Sequence, residues 1–100
     1  MGTRLELHQE LLSLAPHAYH QPPATVRMSY PCFRYDLSDI ETWHADNRSY
    51  RNLDRYSLTY ISKEPAEDKA HEILEHFKYC RFDRHYTADN LHHYTFELYY

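Results

Sequence analysis

"CRFDRHYTADNLHHYTFELYY", residues 80–100, is the stretch that decides the fold. Cys80, Phe82, Arg84 and Tyr86 alternate along its first half, and Tyr94, Phe96, Leu98 and Tyr100 along its second. Side chains two apart share one face of a strand, so each half reads as a strand with an apolar side. Between them "TADNL" brings Asp89 and Asn90, whose short polar side chains suit turn backbone. The stretch is a hairpin, and its apolar side requires other elements packed against it.

The preceding residues supply one. Ala66, Ala70, Ile73, Leu74 and Phe77 recur at i, i+4, i+7, i+8 and i+11, an apolar stripe at helical period. Pro65 suits a first turn, and Glu67 and Asp68 complement the positive end of the dipole. A helix is expected from about Pro65 to Phe77. Before it, Tyr56, Leu58 and Tyr60 alternate with Ser57, Thr59 and Ile61, a strand over about Leu53 to Ser62. Another begins at Cys32, with Phe33, Tyr35 and Leu37 on one face and Cys32, Arg34 and Asp36 on the other. The polar run between them, "SDIETWHADNRSYRN", is either a long loop or a strand pair drawn out into a protruding hairpin. At the start, Thr3 and Glu6 form a capping-box pattern ahead of Leu7, Leu11 and Leu14, so a short helix is expected over Arg4 to Leu14, ended by Pro16. Residues 16–31, with Pro22-Pro23, read as a loop.

The expected order is α-β-β-α-β-β: one α+β domain over residues 1–100, with an antiparallel sheet and two helices packed on one face. "HADN" at 44–47 and "TADN" at 87–90 each fall between paired strands, a hint of internal duplication.

Composition excludes several function classes. The single Gly, at position 2, cannot build the glycine-rich loops that cradle phosphates. Net charge is −4, and Arg27, Arg34, Arg48, Arg51 and Arg55 are interleaved with Asp36, Asp39, Glu41, Asp46 and Asp54 rather than gathered in a basic stripe, which argues against nucleic-acid recognition. No apolar run is long enough to span a membrane. The first residues lack the apolar region of a signal peptide, and Glu6 stands where a myristoylation signal wants Ser or Thr. Cys32 and Cys80 are too few for a secreted disulfide scaffold and read as free thiols of a cytosolic protein, which leaves the sequon at Asn47 without meaning.

"HEILEH", residues 71–76, resembles the HExxH zinc motif but fails on spacing. Histidines four apart sit about 40° apart around a helix, whereas His71 and His76, five apart, sit about 140° apart. His92 and His93, adjacent on a strand, point to opposite faces. In "FDRHY", Asp83 and His85 are expected to share one strand face and Arg84 to take the other, which suits a charge network or subunit contact better than catalysis. No catalytic, metal-binding or cofactor-binding residue is therefore assigned, and no cofactor is expected. Eleven Tyr exceed what a core of this size can bury with each hydroxyl satisfied, so several belong to the surface. There Tyr and Arg favour protein–protein contact.

"YCRFDRHYTADNLHHYTFELYY", with "YHQPP", "YPCFRY", "ADNRSY" and "RYSLTYISKEP" upstream, resembles a family of small tailed-phage tail completion or minor capsid proteins along nearly the whole chain. "LTYISKEP" and His92-His93-Tyr94 depart from the family's usual residues without disturbing the order of elements. The resemblance implies a structural virion protein, not an enzyme, assembled in the host cytoplasm and residing in the neck of a long-tailed phage. It would be a tail terminator or completion protein whose homo-hexameric ring caps the tail tube protein and meets a head-closure or connector protein. DNA would pass through the lumen without specific binding. A head-closure or adaptor role is the nearest alternative, and a small non-virion binding module a further one. A closed ring needs two different patches on each subunit. Candidate contact residues are Trp43, His44, Asp46, Asn47, Tyr50 and Arg51 between the first two strands, and Asp83, Arg84, His85, Asp89 and Asn90 in the last hairpin. For Asp89 and Asn90 turn geometry is an equal alternative, and for Asp83 and His85 an intramolecular pair.

Overall fold

A computed structural model describes residues 4–20, 22, 29–45 and 48–100, and along 41–45 and 48–53 the backbone alone. Two helices, α1 (Arg4–Leu14) and α2 (Glu67–His76), accompany five strands: β1 (His17–His20), β2 (Cys32–Ala45), β3 (Arg48–Ser62), β4 (Cys80–Ala88) and β5 (Leu91–Tyr99). The strands form one sheet in the order β1-β2-β3-β5-β4, an α+β architecture. The expected capping residue Thr3 lies outside the described residues.

Two expectations need correction. Residues 16–31 are not all loop, because His17–His20 form β1. It runs parallel to β2, from His17 opposite Cys32 to His20 opposite Tyr35, so the sheet is mixed rather than wholly antiparallel. A four-residue strand places only two side chains on each face, too few for an alternation to register, and parallel pairing leaves no hairpin signal. Of the polar run 38–52, left open between loop and hairpin, residues 38–45 and 48–52 belong to the β2–β3 ladder, whose register runs from Cys32 opposite Ile61 to Ala45 opposite Arg48.

Both helices pack on one face. Phe33 and Tyr35 of β2, Tyr56, Leu58 and Tyr60 of β3, and Tyr94, Phe96 and Leu98 of β5 form a single buried cluster with Leu7 and Leu11 of α1 and Ala70, Ile73 and Phe77 of α2. Burying each large side chain contributes roughly 1.5–3 kcal/mol relative to leaving it in water. Two of the buried tyrosines have partnered hydroxyls: Tyr35 lies 2.7 Å from Nδ1 of His8, and Tyr94 accepts the Ala66 N–H at 2.8 Å. The second contact replaces the side-chain cap that α2 lacks. Polar ties fix the helices against each other. Lys69 Nζ donates to the Leu14 carbonyl at the end of α1 (2.8 Å), and Glu10 accepts the Tyr100 hydroxyl while lying 3.3 Å from His76 Nε2.

Candidate functional site

The strands differ in length, and the surplus projects. β1 borders β2 only as far as Tyr35, and β5 borders β3 only from Arg55 onward. Among the described residues, Asp39–Ala45 and 48–54 therefore have no strand neighbour except each other. Ser38 is an extra residue at the root of this arm, and its hydroxyl donates to the Arg55 carbonyl at 2.9 Å. There the Arg55 guanidinium stands 3.5 Å from the Asp39 carboxylate. The projection is visible in the radius of gyration, 14.6 Å, against about 13 Å for a compact chain of this length. Exposed apolar side chains gather at the root, with Ile40 51% and Leu37 39% accessible.

The arm carries the first group of predicted contact residues. Trp43 stands opposite Arg51 and His44 opposite Ser49, while Tyr50 is left without a counterpart by a second register shift. Asp46 and Asn47 lie outside the described residues. The second group lies on β4 and its turn. Since Arg55 pairs with Tyr99 and Ser62 with His92, the arm leaves one end of the sheet and the Asp89–Asn90 turn caps the other. Among the described residues, the two groups are not brought together.

Within β4 the expected alternation breaks. Phe82 pairs with Phe96 but Arg84 with Thr95, so Asp83 is a bulge residue and every later side chain changes face. Asp83 therefore does not share a face with His85. Its Oδ2 accepts the Thr95 hydroxyl at 3.1 Å on the side away from the helices, whereas His85 stacks on Tyr94 at 4.6 Å on the helix side. Beside it, His85 Nε2 lies 3.1 Å from His92 Nδ1. Arg84 and Tyr86 take the helix-free face, where the guanidinium sits 5.4 Å above the Tyr86 ring and that ring stacks on His93 at 4.7 Å. The bulge carries this rearrangement, and alternation alone does not reveal it.

Asp89 (φ 52°) and Asn90 (φ 63°) both have left-handed backbone, as a two-residue hairpin turn of type I′ requires. Geometry alone accounts for these residue types. Asn90→Gly should keep the hairpin and leave stability within a few tenths of a kcal/mol or slightly higher, while Asn90→Val should cost about 1–2 kcal/mol. Urea unfolding of the two variants checks the order.

The remaining face of the sheet carries no helix among the described residues. It is polar and striped with charge: Arg34 3.6 Å from Asp36, and Arg81 2.5 Å from Glu97. A cleft of about 520 Å³ opens there at the arm's root, lined by Arg55, Lys78, Tyr79, Arg81, Glu97 and Tyr99. Opposite, between α2 and β4, an apolar hollow of about 270 Å³ is lined by Ala70, His71, Leu74, Phe82, His85 and Tyr94. His71 thus faces β4 while His76 turns to Glu10, and the two imidazoles of "HEILEH" go to different neighbours. Among the described residues, no three His, Cys, Asp or Glu side chains gather as a metal-ligand set, and no helix is long and apolar enough to cross a membrane.

Compared with protein-family models, curated proteins and solved structures, the chain matches none.

Proposed function

We propose that this chain is a self-assembling structural protein of a long-tailed phage neck: a tail terminator or completion protein whose subunits form a ring, probed by its contacts to itself, the tail tube and the head-closure protein. The observation that carries the self-assembly is the β2–β3 arm. A two-stranded ribbon is marginal on its own in water, yet here it extends for half of each strand beyond the strands that flank it. Such an arm supports the reading that a partner surface receives it. The charged, helix-free sheet face and β4, exposed from Arg81 to Ala88, offer further contact area, and Tyr79 (60% accessible) and Tyr86 place large aromatic surface there. The virion setting rests on the resemblance carried by "FDRHYTADNL".

Deleting the gene from a phage that carries it, then imaging the lysate by negative-stain microscopy, tests the reading. Overlong or unjoined tails beside filled heads are the expected result. Tails of normal length with leaking heads would assign the chain to head closure. Intact infectious particles would overturn the virion reading.

A further inference from the structure

The two ends of the strand order differ in a way that suits them to each other. β4, at one edge, is exposed from Arg81 to Ala88. With its lead-in from Lys78 it carries Lys78, Arg81 and Arg84 against one carboxylate, Asp83, which the Thr95 hydroxyl engages. On the other side of the sheet β1 covers only Cys32–Tyr35 of β2. Among the described residues, Leu37–Ala45 has no outer strand. That length carries Asp39 and Glu41 and no Lys or Arg, and its nine residues equal the nine of β4.

We infer that the open edge of β2 in one copy pairs with β4 of a second copy, so that the sheet continues from subunit to subunit. This rests on the self-assembly reading above and specifies its contact. Unpaired strand edges are templates for another strand, and cations on an edge discourage indiscriminate pairing. β4 against a second β4 sets like charges side by side. β4 against the acidic edge of β2 brings the strand that carries Arg81 and Arg84 beside the one that carries Asp39 and Glu41. The charges therefore disfavour one pairing and favour the other. The intramolecular partners of these charges, Glu97 for Arg81, the Tyr86 ring for Arg84 and Arg55 for Asp39, are contacts of exposed or half-exposed side chains, which hold a side chain weakly and leave it able to reorient. Because the two edges lie on opposite sides of the sheet, the contact is head-to-tail. It forms a ring if the rotation between copies closes, and a filament if it does not.

Light scattering on size-exclusion fractions of the full chain tests this with two charge reversals, Arg81→Glu/Arg84→Glu and Asp39→Arg/Glu41→Arg. The wild type is expected to elute as an oligomer and each double variant at the 12.2 kDa monomer mass. Mixing the two variants should restore the oligomer, since every interface then joins one acidic and one basic edge, and restoration also shows that both variants are folded. Double variants that assemble like the wild type, or a mixture that stays monomeric, would overturn the edge pairing and leave self-assembly standing. A wild type that is monomeric at every concentration would overturn both.

Discussion

Phe96→Ala is expected to lower stability by about 3–5 kcal/mol, the cost of emptying a large aromatic site in a packed core. Phe96 is 1% accessible, lies opposite Leu58 on β3, and meets Phe82 edge-on at 5.5 Å. It sits mid-sheet, beneath the helices. Domains of this size have roughly 5–15 kcal/mol in total, so the loss takes about a fifth or more of it and lowers Tm by roughly 12 °C or more. Phe82→Ala is the matching control. Phe82 is directly opposite in register but 40% accessible on the edge strand, so its loss should cost well under half as much. Thermal melts of the two variants give the comparison. Equal losses would mean that the core does not end at β5.

The second large effect concerns the thiols. Cys32 is fully buried and Cys80 partly so; both are free, and burial pushes each thiol up to about 11. The thiolate is the nucleophile, so at pH 8 the reactive fraction falls about a hundredfold relative to an ordinary cysteine. Iodoacetamide should label the native chain about two orders of magnitude more slowly than the chain in urea, with mass spectrometry reading each site. The same shift has a sign in stability. A group whose pKa is raised by folding contributes stability below its unfolded value and loses it as pH rises toward the folded one. Stability should therefore fall between about pH 8.5 and 11, by on the order of 2–3 kcal/mol for Cys32. Cys32→Ser should remove about half of the part of that alkaline slope that the two thiols supply, and an unchanged slope would place its cause elsewhere.

Legibility of the fold followed the strength of periodic signals. α1 spans the Arg4–Leu14 read from its leucines and Pro16, and α2 begins two residues after Pro65. The faces of β2 and β3 near the core were legible because Phe33, Tyr35, Tyr56, Leu58 and Tyr60 alternate with polar residues over enough positions to fix a period. β1 was not, since HAYH has no period to show. Asp83 marks a different limit. A bulge keeps the residue types of a regular strand and changes only which hydrogen bonds form, so "FDRHY" read as plain alternation misplaces its faces. The arm was legible only as an alternative, because "SDIETWHADNRSYRN" lacks the apolar side that a buried strand acquires. The open edge of β2 depends on where β1 stops, a tertiary fact with no local trace.

The order β3-β5-β4 also bears on how the chain matures. β5, which lies between two other strands, is the last of the five to be synthesised. Until Leu91–Tyr99 leaves the ribosome, Tyr56, Leu58 and Tyr60 have a neighbour on one side only, and β4 has no strand to join. From the completion of β3 until β5 follows, the growing polypeptide thus carries its future centre as an open seam. A short delay between β3 and β5 prolongs the interval in which a wrong strand can fill that gap.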